Sequence, residues 1–314
     1  MKRPDGRRTV GLALGSGGAR GGAHLGVLKA LQELQVRVDL VAGTSIGALV
    51  GGFFAAGRLV ELTEVALHLD WRQALYYFLE VNVPRSGLID GHRVRDFVRR
   101  HVREVRVEQL ALPFRAVATD LFSGREVVLD RGDLIEAIRA SVSIPGMFTP
   151  VCREGFALVD GGLVNPLPVS VVRAMGADVV IAVDLNSDLP GPARRCNGAP
   201  RSRPEPKPPA AANPLLARLN ETWGRINWAE RGPLKNWHEA SSLPTIFEVL
   251  GQSIQIAGTQ ITAARLVTDP PDVLVQPKVG RIGYLEFQRS REAYEAGYAA
   301  AWSLRKRLVS ETAP

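Results

Sequence analysis

Gly43-Thr44-Ser45-Ile46-Gly47 sets a serine between two glycines at the spacing Gly-x-Ser-x-Gly, between a short apolar run and a stretch of small and apolar residues. A serine placed where strand meets helix is a candidate nucleophile. The turn it occupies is sharp and strained, and a side chain at either glycine would collide with neighbouring elements. Such a turn lifts the hydroxyl out of the sheet, and the helix N-terminus beneath favours negative charge on a nearby oxygen. The pentapeptide also occurs by chance in glycine-rich chains, so its place after a strand carries the argument. Upstream, Gly15-Ser16-Gly17-Gly18-Ala19-Arg20-Gly21-Gly22 again joins strand to helix. Acyl transfer needs at least two donors aimed at the oxyanion, and glycines let backbone amides turn inward unobstructed.

The competing reading of that loop is a phosphate or dinucleotide cradle. A dinucleotide fingerprint from Gly15 needs Gly or Ala where Arg20 stands, and the next strand has Asp39 at its start rather than an acid at its end. A Walker loop needs Gly-Lys-Ser/Thr, which is absent. The third element, Asp160-Gly161-Gly162, closes an apolar run. It suits a carboxylate held at a sheet edge, though alone it is more often a turn former than a catalyst.

A serine hydroxyl needs a base, and the chain has five histidines. His24 follows the glycine loop within a helix, while His68, His92 and His101 lie among polar helical residues that read as surface. His238 alone meets the Ser, Asp, His order of an α/β-hydrolase triad, but it sits in an irregular Trp-rich segment. An elbow after the second strand is also early for that fold.

These residues require a scaffold. Apolar runs predict strands at residues 9–14, 39–43, 114–119, 126–129, 156–159, 179–184 and 272–276. Helices are predicted at 23–34, 48–56, 92–101, 134–141, 168–175 and 287–308. Strand and helix alternate, which points to an α/β three-layer sandwich: a mostly parallel sheet between helices. Residues 187–212 break the pattern with seven prolines and predict a linker without fixed structure. Beyond it, Leu215, Leu216, Leu219, Trp223 and Ile226 share one helical face opposite Arg218, Glu221 and Arg225. The expected organisation is a catalytic domain of residues 1–186 and 243–314, with 187–242 as an insertion. Its helix either covers a core, or serves as a lid or anchor touching an anionic membrane through 214–237.

The 314 residues, 46% hydrophobic, can bury a large core without metals or disulfides. Cys152 and Cys196 are too few for a disulfide framework or a zinc site, which suggests a reducing compartment. The apolar stretch 10–14 is too short for a signal peptide, and the run 46–57 falls well short of the ~20 residues that span a bilayer. The expectation is a cytoplasmic protein with at most a peripheral contact at the inner membrane surface. A formal charge of +7 admits nucleic acid or an anionic membrane as partner, or mere arginine bias. Nucleic acid ranks last, because no zinc-finger, helix-turn-helix or aromatic-basic motif is present.

The order Gly-Gly-x-Arg-Gly, then Gly-x-Ser-x-Gly, then Asp-Gly-Gly resembles patatin-like phospholipases, especially the bacterial branch related to neuropathy target esterase. Further stretches share the likeness: Gly87-Leu88-Ile89-Asp90-Gly91, Ala118-Thr119-Asp120, residues 139–146, and Asn165-Pro166-Leu167-Pro168. The match covers about residues 9–186 and resumes from Pro244 through the strand at 272–277. The resemblance implies Ser45 as nucleophile, flanked by Gly43 and Gly47, and Asp160, followed by Gly161 and Gly162, as the base replacing histidine. It also implies an oxyanion hole from Gly17 and Gly18, with Arg20 and Gly21 completing the loop. No metal or cofactor enters this reading, and the substrate would be a lipid or other carboxylic ester. Asp160 would need desolvation to raise its basicity. The alternative is a non-catalytic, lipid-binding or regulatory member of the same fold, against which the intact Ser45, Asp160 and glycine loop stand.

Overall fold

The structure, a computed structural model, describes residues 7–68, 92–102, 105–188 and 246–313. In chain order its elements begin with β1 (Val10–Leu14), α1 (Gly22–Glu33), β2 (Leu40–Thr44), α2 (Ile46–Ala55), α3 (Leu59–His68) and α4 (His92–His101). There follow β3 (Phe114–Asp120), β4 (Glu126–Leu129), α5 (Leu134–Ser141), β5 (Val151–Arg153), β6 (Phe156–Asp160) and α6 (Val169–Ala174). β7 (Val179–Val183), α7 (Ile246–Thr268), β8 (Val273–Val275), α8 (Ser290–Ser303) and α9 (Arg305–Thr312) complete them.

One eight-stranded sheet runs β5-β6-β3-β2-β1-β7-β8, with β4 pairing β3 off this path. The five strands from β3 to β8 are parallel, and β4 and β6 pair antiparallel with β3. The central strands are apolar throughout because both faces are covered. Leu12 and Leu14 of β1, Ile181 and Val183 of β7, and Val41 of β2 face a core shared with α1, α2 and α5. The alternate residues Ala13, Ala42, Val180 and Ala182 face a second core with Val169, Val171 and Val172 of α6. Two apolar layers on one sheet make the expected sandwich.

On the larger side α1 and α8 meet backbone to backbone. A Cβ on Gly26 would lie 2.0 Å from the Tyr294 carbonyl oxygen, and one on Gly297 would lie 2.0 Å from that of Ala23. Only glycine permits that approach.

Three elements depart from expectation. The predicted helix 287–308 is a 3-10 turn (Phe287–Arg289) followed by α8 and α9, interrupted at Leu304. α2 begins at Ile46, directly after the elbow serine. The 23-residue α7 answers to no predicted helix; among its described side chains the buried ones are Gly251, Gln255, Gly258 and Thr262, at helical spacing. The predicted amphipathic helix within 214–237, His238 and the motif at 87–91 lie outside the described residues. Among the described residues no helix is long and apolar enough to cross a membrane.

Candidate active site

β2, in the middle of the sheet, ends at Thr44, and Ser45 then turns the chain into α2 with φ 57° and ψ −124°. Holding a non-glycine residue there costs on the order of 1–3 kcal/mol. The flanking glycines are required by contact: a Cβ on Gly43 would fall 2.2 Å from the Gly47 carbonyl oxygen, and one on Gly47 2.2 Å from that of Leu14. Hydrogen bonds brace the turn. The Ser45 N–H donates to Ser141 Oγ at 2.9 Å, and the Ser141 hydroxyl donates to the Val117 carbonyl at 2.6 Å. Thr44 Oγ1 donates to the Asn165 carbonyl at 2.8 Å.

Asp160 ends β6, opposite Ala118 of β3. Its backbone is pinned by the Thr119 hydroxyl at 2.9 Å and by its own N–H donating to the Ser143 carbonyl at 2.9 Å. Each carboxylate oxygen has one partner. Oδ1 accepts the Gly162 N–H at 2.7 Å, and Oδ2 accepts the Ser45 hydroxyl at 2.5 Å. Ser45 and Asp160 are 2% and 3% exposed, so this pair is screened from bulk water. Burial pushes the carboxyl up to about 6, against the lowering effect of its bonds to Ser45 and Gly162.

The glycine loop packs against residues next to this pair: a Cβ on Gly162 would lie 3.4 Å from Ser16 Cβ, and one on Gly21 2.2 Å from Ile46 Cγ1. Its N–H groups are spent unevenly: Gly15 donates to Val183 at 3.0 Å, Ser16 to Pro166 at 2.8 Å, Ala19 to Tyr284 at 2.9 Å and Arg20 to Gly17 at 3.3 Å. The N–H groups of Gly17 and Gly18 have no partner among the described residues. Nor do those of Ile46 and Gly47, at the open end of α2. Arg20 is 1% exposed and spends its guanidinium on structure, with Nε donating to Ile282 O at 2.9 Å and one terminal nitrogen to Gln255 Oε1 at 2.7 Å.

His24 props the same loop from below: its Nε2 donates to the Gly15 carbonyl at 2.7 Å. Complete burial lowers its pKa to about 4, so the ring is neutral. His101, expected at the surface, is half-buried against Phe97, with ring centroids 4.7 Å apart. No histidine among the described residues hydrogen-bonds Ser45. Tyr284, which no motif singled out, packs its ring against Gly18 and accepts the Ala19 N–H through its carbonyl at 2.9 Å.

Ser45 also borders a cavity of about 140 Å³ whose walls include Leu25, Leu49, Leu62, Val65, Phe97 and Phe148. Its apolar lining matches a hydrocarbon chain better than a polar ligand. Together the arrangement offers a hydroxyl, a carboxylate that can take its proton, unspent amide donors beside them and an apolar slot.

Residues 12–173, just over half the chain, match the sequence pattern of the patatin-like phospholipase family. The chain belongs to that family. An uncharacterized NTE family protein of Mycobacterium tuberculosis is 37% identical across 93% of this chain and 90% of its own length. A lysophospholipase of Emericella nidulans is 30% identical across 97% of this chain, which spans 18% of that larger protein. Human patatin-like phospholipase domain-containing protein 6 is 38% identical across 57% of this chain and 13% of its own.

Proposed function

We propose that this protein is a serine acyl hydrolase of lipid esters, with Ser45 as nucleophile and Asp160 as general base. The 2.5 Å hydrogen bond from Ser45 Oγ to Asp160 Oδ2 carries the reading. Family membership and the apolar cavity beside Ser45 support a lipid substrate. In the forward step ionised Asp160 takes the hydroxyl proton as Oγ attacks the ester carbonyl. The Gly17 and Gly18 amides receive the oxyanion, and Asp160 passes its proton to the departing alcohol. Water then enters by the same route, activated by Asp160, and releases the fatty acid from Ser45. A carboxyl lifted to about 6 is a stronger base than an ordinary aspartate yet still ionised at neutral pH.

Covalent labelling by a fluorophosphonate tests the assignment. Wild type should be labelled at Ser45, and Asp160→Asn should react at least ~100-fold more slowly. A folded wild-type protein that resists labelling would instead be a lipid-binding member of the fold. A panel of acyl esters, assayed with and without anionic vesicles, would rank substrates. It would also test the peripheral membrane contact that we assign to residues 214–237.

A further inference from the structure

Ile46, Leu49 and Val50, which wall the cavity beside Ser45, follow the serine along one face of α2. The next residue on that face, Phe53, is 0% exposed, and its ring stacks on that of Phe97 with centroids 5.9 Å apart. Phe97, from α4, lines the cavity, and His101 backs its ring at 4.7 Å. Leu62 of α3 adds to the wall. Among the described residues that wall carries no charged side chain, and its hydroxyls are those of Ser45 and Ser290. A phosphorylated headgroup would find no cation there.

We propose that this slot takes the acyl chain of the ester, that Phe97 is its end wall, and that the enzyme thereby selects acyl groups of medium length. This preference rests on the hydrolase reading above and names its acyl substrate. Ser45 and Phe53 lie on one helix, so the distance from nucleophile to end wall is set by rigid backbone rather than by loops. The eight steps from position 45 to 53 span about 12 Å at ~1.5 Å per residue. An extended hydrocarbon with C–C bonds of ~1.5 Å and angles of ~111° advances ~1.25 Å per carbon, so about nine or ten carbons reach the stacked pair. Volume sets the tighter bound. An apolar cavity of ~150 Å³ takes one six-carbon ring, and this one measures about 140 Å³. Together the two bracket the acyl group at roughly six to ten carbons. A longer chain must push Phe97 off the buried ring of Phe53, and a packed interior yields to that only at a cost.

A panel of p-nitrophenyl esters, from butyryl through octanoyl and lauroyl to palmitoyl, tests the slot. For the wild type, kcat/KM should rise about 3- to 4-fold per added methylene as far as octanoyl. It should then drop at least ~10-fold by palmitoyl. Phe97→Ala removes the end wall and should move the optimum to lauroyl. Leu49→Phe fills the slot about one helical turn from Ser45 and should move the optimum toward butyryl. Rates are normalised to the fraction of Ser45 labelled by fluorophosphonate, so poor folding does not mimic a change of selectivity. If Phe97→Ala does not fold, the Leu49→Phe profile decides. Wild type that cleaves palmitoyl as fast as octanoyl, or variant profiles parallel to that of wild type, would overturn the slot while leaving the serine hydrolase intact. Wild type that neither labels nor cleaves any ester would remove the hydrolase reading and the slot with it.

Discussion

Asp160 and His24 are both enclosed, and their protons act on stability in opposite senses. Asp160 is raised from 3.8 to about 6, so the unfolded chain ionises first. The buried carboxylate therefore destabilises the fold above pH 6, and that penalty is relieved as pH falls from about 6 to 3.8. His24 is lowered from 6.5 to about 4, so the unfolded chain takes its proton first, and stability is lost as pH falls from 6.5 to about 4. Across the shared interval the two slopes oppose. Asp160→Asn leaves the histidine slope alone. The variant should be more stable than wild type at pH 8, by up to about 3 kcal/mol. The advantage should shrink toward zero near pH 4, as urea denaturation at the two pH values would register. Hydrolysis by the wild type should fall off below pH 6 as Asp160 protonates, giving an acid limb in kcat/KM.

At the scale of elements, the contact of α1 with α8 sets the height of the glycine loop, since α1 begins where the loop ends. Gly26→Ala puts a methyl where the Tyr294 carbonyl oxygen stands 2.0 Å away, so the helices must separate. The expected cost is about 2–3 kcal/mol in chemical denaturation, with hydrolysis lost in step. This contact is not legible in the sequence, because a glycine that admits a neighbouring backbone adds nothing to hydrophobic periodicity. α7 is not among the predicted helices although Leu250, Ile254, Ala257 and Ile261 recur at helical spacing, and its buried face instead carries Gly251, Gln255, Gly258 and Thr262. The sheet is legible because its central strands are apolar on both faces, as Val179–Val183 shows. The adjacency of Ser45 and Asp160 is anticipated by motif order alone. Tyr284 is not, since a tyrosine in a loop carries no spacing that marks it.

For the whole molecule, the stretch that matches the family pattern is smaller than the unit that holds the site. The match ends at residue 173, yet Arg20 is anchored by Gln255 and Ile282, the glycine loop by Tyr284, and α1 by α8. A fragment ending at residue 188 keeps Ser45 and Asp160 but exposes the backbone face of α1 and leaves the Arg20 guanidinium without those acceptors. It should lack a cooperative thermal transition and resist rescue by added substrate, as calorimetry would show. The full chain, for its part, tolerates one residue that its fold does not want. At φ 57° and ψ −124° a glycine would sit at Ser45's place without strain, and the backbone bonds there would all remain. A serine here is held in glycine's conformation, and the strain it carries sits in the backbone rather than in the side chain.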